Sequence, residues 1–537
     1  MPTFWIYTLG CKVNQYESQY VREGLQRLGF QEATPGEKVD LCIVNTCTVT
    51  AESDLKSRKV IRQLARRHPE ARIVVMGCYA ARAPQELARL PGVVQLIPDK
   101  AQLPQWLAQL GLADPPQGIS CFGSRHRAFV KVQDGCQQRC RYCIIPLVRP
   151  VLRSRPLGEV LEEIQRLVSA GYREIVLTGI HLGHYGRDLP GPQPTLADLV
   201  EQILKLPGSF RLRLSSLEAM EVTPELLRMM ADRPDRLCPH LHLPLQSGSN
   251  RVLEQMGRPY RLEDFLRVCD QVRAQLDNPA LTTDILVGFP GETEQDFQAS
   301  CRAVEQVGFC KIHSFPFSPR PGTAAAQMPD RPPWGVVRRR CGQIQEIARQ
   351  LRRRYMESLL GRSIQVLAEE SLRLGEVQGL RIPLFPSSGG DFTAIKWDHI
   401  TWRNVFDMPS NRDMNITQNG GSAWTPPGTR CPTGIGVATK MTQNGRTASP
   451  RKKQALEDHS PKGLVSPLCL LRGTSERYLP VYFLGPNSWI GHLIALQAHT
   501  LCEHSQGNLA LWAESMDGDF RQPSGEGTLS GECFSGE

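Results

Sequence analysis

Asp134-Gly-Cys136-Gln-Gln-Arg-Cys140-Arg-Tyr-Cys143 places three cysteines on one short stretch, separated by three residues and then two. It directly follows the apolar run Ala128–Val132, which reads as a strand. Three thiolates on one loop can each bind one iron of a cubane, leaving the fourth iron without a protein ligand. A small molecule can chelate that open iron and receive an electron from it. A structural zinc site wants four ligands, usually as two pairs, and no fourth Cys or His completes one locally. The spacing therefore points to an iron–sulfur cluster rather than to zinc.

Working outward, strands and helices alternate for some two hundred residues. Strand candidates are Ala128–Val132, Glu174–Thr178, Arg211–Ser215, His240–Leu245, Thr282–Val287 and Lys311–Phe315. Helices are expected between them, among others at Leu157–Ala170, Leu196–Leu206, Leu262–Gln275 and Thr293–Val307. Six such units form a full or partial β/α barrel, which places its chemistry in the loops after the strands. A long basic helix over Arg338–Leu360 closes this unit, and Ser363–Glu369 begins like a new strand.

Upstream, Phe4–Leu9, Leu41–Thr46 and Ile73–Met76 are short strand-like runs separated by amphipathic segments at Gln15–Leu28 and Ser53–Arg67. That alternation reads as a parallel α/β sheet. Cys11, Cys47 and Cys78 each follow one of these strands by one or two residues. Strand ends of an open parallel sheet face one crevice, so the three could converge there as ligands. The competing reading is that small apolar cysteines fill the core, as Cys42 inside its strand does. A Pro/Gly-containing connection, Asp114-Pro-Pro-Gln-Gly118, marks a boundary near 115–122.

The chain has 537 residues, 63 Lys+Arg and 54 Asp+Glu, a formal net charge of +9. Residues 371–537 hold fifteen of each sign, so the excess belongs to residues 1–370. Basic clusters at Lys56–Arg67 and Arg338–Arg354 read first as solvated helix faces and are compatible with a polyanionic partner. The 40% hydrophobic and 22% charged fractions are those of a globular protein. No run approaches the ~18 apolar residues of a membrane span. The start, MPTFWIYTLGC, lacks a secretory leader, so a cytoplasmic protein without a membrane partner is expected. Seventeen Cys, an odd number, argue for metal ligation over a disulfide framework.

These residues together resemble the methylthiotransferases, which pair an N-terminal three-Cys domain with a barrel of the radical S-adenosylmethionine (SAM) superfamily. Matching stretches include Arg153-Ser-Arg-Pro156, Thr178-Gly-Ile-His-Leu-Gly183, Leu214-Ser-Ser-Leu-Glu218, His242-Leu-Pro-Leu-Gln-Ser-Gly-Ser249, Asp284-Ile-Leu-Val-Gly-Phe-Pro-Gly-Glu292 and Phe315-Pro-Phe-Ser-Pro-Arg-Pro-Gly-Thr323. The resemblance covers about residues 3–370. Gly10-Cys-Lys12-Val-Asn14-Gln-Tyr-Glu-Ser18 is most similar to the branch acting on N6-threonylcarbamoyladenosine of tRNA.

The fold expected is α/β. An open parallel sheet domain (1–115) precedes a radical-SAM partial β/α barrel (122–355), then the start of a small β-barrel (TRAM-like) domain at 361–380. The remaining strands of that barrel are not expected to follow, because 381–537 loses periodicity and charge bias; it reads as an atypical, disordered or frameshifted tail. The resemblance implies that Cys136, Cys140 and Cys143 hold one [4Fe–4S] cluster, the catalytic one, whose open iron binds SAM. It implies a second [4Fe–4S] cluster on Cys11, Cys47 and Cys78, source or carrier of the inserted sulfur. Cleaved SAM would yield a deoxyadenosyl radical that takes hydrogen from adenine C2, and a further SAM would supply the methyl group.

Gly179, Glu218, Gly288 and Glu292 would contact SAM. Arg153 and Arg155 could steer phosphate or the SAM carboxylate, while His181 and His184 read as structural. The partners implied are tRNA, a flavodoxin- or ferredoxin-like electron donor and a sulfur donor, with the protein acting as a monomer. Two alternatives stand beside this: the same chemistry on isopentenyladenosine or a ribosomal protein, and an iron–sulfur or zinc RNA-binding module without radical chemistry.

Overall fold

A computed structural model describes residues 1–123, 125–372, 469–503 and 508–515. The N-terminal unit is a five-stranded parallel sheet of β1 (Thr3–Thr8), β2 (Gln31–Glu32), β3 (Leu41–Thr46), β4 (Arg72–Gly77) and β5 (Val93–Ile97), ordered β2-β1-β3-β4-β5. All six residues of β3 are buried, as expected of a central parallel strand covered by helices on both faces. Cys42 and Val44 face one helix layer with Ile61, and Ile43 faces the other with Val74 and Trp106. Cys42 is thus a core residue, as its place within the strand implied.

The central unit has six parallel strands: β6 (Arg127–Asp134), β8 (Glu174–Gly179), β9 (Arg211–Leu214), β10 (His240–His242), β11 (Ala280–Val287) and β12 (Lys311–Pro316). They form two arcs, β6-β8-β9 and β10-β11-β12, joined by the parallel bridges Leu212↔Leu237 and Ser216↔His242. A two-residue strand, β7 (Arg153–Ser154), pairs antiparallel to the end of β6. Strand β10 is shorter than the run His240–Leu245 because Pro244 has no N–H to give to the ladder. The helix Lys12–Arg27 of the first unit packs against this barrel: Tyr16 lies in the barrel's core, and Glu23 accepts the N–H groups of Ser120 and Cys121 at 2.8–3.0 Å.

The C-terminal region corrects the sequence reading. Strand β13 (Ser363–Ser371) is the first strand of a closed barrel completed by β14 (Cys469–Ser475), β15 (Pro480–Gly485), β16 (Leu493–Glu503) and β17 (Leu509–Ser515), in the order β13-β14-β15-β17-β16. The apolar patch Tyr478–Leu496, which had no visible partner in sequence, packs against Val366, Leu471, Leu511 and the end of the helix Trp334–Glu357. Residues 469–503 and 508–515 are therefore part of the fold and not a foreign tail. The disordered or frameshifted reading of 381–468 lies outside the described residues.

This small barrel docks on the strand starts of the central unit. Glu174, fully buried, accepts Arg211 Nε at 2.7 Å and Arg213 Nε at 2.9 Å. The same guanidinium groups donate onward to the carbonyls of Gln365, Thr474, Ser475 and Glu476 at 2.6–3.0 Å. No helix among the described residues is long and apolar enough to cross a membrane.

Candidate metal centres

The loop after β6 is built around one turn. Gly135 has φ +83°, and a Cβ there would overlap the Val151 carbonyl, so only glycine fits. Asp134 Oδ1 accepts the Gly135 N–H at 2.8 Å, and Gln133 Nε2 donates to the carbonyls of Asp134 and Gly135. Cys136 N–H donates to the Arg149 carbonyl at 3.0 Å and Cys143 N–H to that of Cys140 at 3.0 Å. Burial raises the Cys140 thiol pKa, and Arg258, whose Nη1 lies 3.3 Å from Cys140 Sγ, offsets part of that rise. Burial pushes the Cys143 thiol up to about 12. All three cysteines are free thiols.

The second trio does converge. Cys11 caps the helix after β1, Cys47 follows β3, and Cys78 opens the helix after β4. Two glycines allow the approach: a Cβ on Gly10 would stand 3.0 Å from that of Cys47, and one on Gly77 (φ +101°) would collide with the Thr46 backbone. Asn14 fixes the crevice, donating to the carbonyls of Leu9 at 2.8 Å and Thr46 at 3.1 Å. Among the described residues neither trio gathers as tightly as the three donors of His181, His184 and Glu221, which all lie within 4.8 Å of one another. Wide-set thiols suit the corners of a polynuclear cluster better than the tight tetrahedron around a single zinc.

Arg149, which the sequence reading passed over, joins the two trios. It is 5% exposed, and its Nε lies 3.3 Å from Cys78 Sγ. Its Nη atoms donate to Glu17 at 2.8 and 3.0 Å, to Asp134 at 2.7 and 2.9 Å and to Asn14 Oδ1 at 3.0 Å. One guanidinium therefore touches the second trio's crevice and the base of the first trio's loop at once. Its charge and that of Lys131 hold the Glu17 and Asp134 carboxyls below their usual range, although burial raises both.

Comparison with known proteins covers the two units that carry the trios. Residues 130–304 match the Radical SAM superfamily, and residues 3–98 match a family described as "Uncharacterized protein family UPF0004". A threonylcarbamoyladenosine tRNA methylthiotransferase, MtaB, of Thermotoga maritima is 40% identical over 71% of this chain and 89% of its own length. The Bacillus subtilis protein of that name is 36% identical over 71% and 88%. The chain belongs to the radical-SAM methylthiotransferase family. A tRNA-2-methylthio-N(6)-dimethylallyladenosine synthase of Nitratidesulfovibrio vulgaris is 36% identical over 68% of this chain and 86% of its own. Among solved structures, the radical SAM methyltransferase TsrM of Kitasatospora setae covers 61% of this chain and 75% of its own, at 15% identity and a TM-score of 0.46.

Radical-SAM methylthiotransferases use SAM and [4Fe–4S] clusters, and the residues expected to meet SAM separate into two groups here. Gly179 ends β8 where a Cβ would press on Gln133 at 3.1 Å, close beneath the cysteine loop. Glu218 pairs with Arg258, the residue that also reaches Cys140, so both face the first trio. The Glu292 side chain is engaged within the protein: it accepts the Gly288 N–H at 2.9 Å and Arg340 Nη1 at 2.7 Å, and is 6% exposed, so only the backbone of this turn is left to meet SAM. Gly288 (φ +79°) is explained by Val337, which a Cβ would strike at 2.6 Å.

Arg153 is paired with Asp99 and Arg155 with Glu163. His181 and His184 stack at 3.5 Å, with His181 Nε2 2.6 Å from Glu221 and its Nδ1 3.6 Å from Cys136 Sγ. The pairing with Glu221 comes from a different strand's loop and had no sequence signal.

Proposed function

We propose that this enzyme converts N6-threonylcarbamoyladenosine at position 37 of tRNA to its 2-methylthio derivative, substituting at adenine C2. The observation that carries this reading is the pair of cysteine trios at one crevice, bridged by Arg149, in a chain 36–41% identical to several proteins named for that activity. Cys136, Cys140 and Cys143 would hold the SAM-binding [4Fe–4S] cluster, and Cys11, Cys47 and Cys78 the second one. Bound there, the first cluster supplies the electron that reductively cleaves SAM and so opens a radical route to an unactivated aryl C–H bond.

The chain's own residues do the rest. Arg258 sets its positive charge against Cys140 and orients Glu218 toward the same side. Arg149 and Lys131 together offset the charges of Glu17 and Asp134 beside the two thiol sets. The basic excess of residues 1–370 supports a tRNA substrate. A small ferredoxin- or flavodoxin-like protein would deliver electrons, and a separate donor would renew the sulfur.

Two measurements test the reading. Anaerobic reconstitution is expected to give about eight irons per chain, as two cubanes require, with SAM-dependent release of deoxyadenosine; one zinc and no SAM cleavage would refute it. In tRNA nucleosides from a deletion strain, 2-methylthio-threonylcarbamoyladenosine is expected to vanish while 2-methylthio-isopentenyladenosine persists. The reverse pattern would move the enzyme to the dimethylallyladenosine branch.

A further inference from the structure

Inside the central barrel lies a cavity of about 210 Å³ to which all three units contribute. Lys12 enters from the N-terminal unit, Tyr478 from the β14–β15 turn of the C-terminal barrel, and Arg213, Ser215, His240 and Lys311 from barrel strands. It has room for a short polar substituent. It lies below the cysteine loop: His240 and Lys311 are the first residues of β10 and β12, whereas Cys136 follows the end of β6.

The lining is cationic: Arg213 is held by Glu174, but two lysines stand beside it without such a partner. Lys311 Nζ lies 5.4 Å over the Tyr478 ring, and neither it nor Lys12 forms an ion pair with any described acidic residue. Buried His240 Nδ1 and Ser215 Oγ have no hydrogen-bond partner. Unsatisfied buried polar atoms of this kind mark a place for a polar ligand. The cavity's carboxylate, Asp284, already faces His242 Nε2 at 3.4 Å. Tyr478 adopts φ +62°, unusual for a bulky residue and typical of functional sites. Burial raises its hydroxyl pKa, but the nearby charges of Lys12, Arg127, Lys311 and Arg213 outweigh that and lower it.

We propose that this cavity receives the carboxylate-bearing substituent on N6 of the substrate adenosine, with Lys12 and Lys311 binding the carboxylate. The proposal rests on the tRNA reading above. It makes the C-terminal barrel, through Tyr478, part of the substrate pocket. The substituent enters from the barrel mouth while the adenine ring stays near the cysteine loop.

The test uses the reconstituted full chain and three anticodon stem-loop RNAs that differ only at residue 37: N6-threonylcarbamoyladenosine, its methyl ester, and unmodified adenosine. A hydrogen-bonded charge pair corresponds to a preference of about ten- to a hundredfold for the acid over the ester. Lys12→Met and Lys311→Met are each expected to bring the acid's affinity down to the ester's, with affinity for the ester and the KM for SAM unchanged. Full iron content in each variant shows that it has folded, and either variant alone suffices.

Variants that keep the discrimination overturn the proposal. So do variants that weaken all three RNAs alike, which would mark a phosphate contact, or that raise the KM for SAM, which would assign the carboxylate to SAM. A wild-type enzyme that methylthiolates the acid without discriminating against its ester sinks the pocket and leaves the function standing. One that fails to turn over the acid at all sinks both.

Discussion

The two cysteine trios make opposite demands on the fold. Cys136, Cys140 and Cys143 sit on eight consecutive residues, so their approach needs little more than the Gly135 turn and a few local hydrogen bonds. Cys11, Cys47 and Cys78 stand on three different strand ends, and only the parallel register of β1, β3 and β4 brings them together. One site is fixed by a loop, the other by a sheet. Arg149 couples them, and it is where the comparison breaks first. Arg149→Leu leaves the two buried carboxylates of Glu17 and Asp134 with Lys131 alone between them, which is expected to cost about 3–5 kcal/mol of stability. Urea unfolding measures the loss, and iron per chain should fall at both sites. A variant as stable as wild type would show that the two carboxylates find other partners.

Separating the sites is the next largest effect. Gly77→Ala forces a Cβ into the Thr46 backbone beside Cys78, and Gly135→Ala forces one into Val151 beside Cys136. Each variant is expected to retain about four irons rather than about eight, but only Gly77→Ala should keep SAM cleavage. Loss of both clusters from either variant would show that the trios are not independently assembled.

Much of this contrast was legible in sequence. The contiguous trio announced itself by spacing, and the dispersed one by its place after strand-like runs, because parallel strands carry strong local apolar patterning. Only the first strand of the small barrel was legible; the others were not, since β13 pairs with β14 and β16 across about a hundred residues, and such pairing leaves no local trace. Arg149 was missed because nothing in a sequence says which arginine will be buried. Glu292 looked like a ligand in its motif, but its partner Arg340 sits on a helix 48 residues later.

The Glu174 cluster offers a pH test of that non-local docking. Burial raises the Glu174 carboxyl pKa, but Arg213 and Arg211 outweigh it and hold the carboxyl well below its usual range. A depressed folded-state pKa means the stabilisation is fully present above the unfolded value of about 4.3 and is lost as pH falls below it. The thermal midpoint should therefore drop steeply below about pH 4, and Glu174→Gln should flatten that slope. An unchanged slope would assign the acid sensitivity elsewhere.

The smallest effect belongs to Arg153, four residues beyond Arg149 and of identical chemistry. Both guanidinium groups grip carboxylates in bidentate fashion, Arg153 holding Asp99 at 2.8 and 3.1 Å. Arg153 and Asp99 are 43% and 44% exposed, however, so water and salt screen the pair and each charge keeps much of its hydration. Arg153→Ala is expected to change stability by less than about 1 kcal/mol. Because the side chain faces Asp99 and not the cysteine loop, the KM for SAM should stay within about twofold, an energy difference of about 0.4 kcal/mol. A larger rise would return Arg153 to the SAM-steering role that its motif suggested. An unchanged value would make burial, not residue type, the property that separates the two arginines.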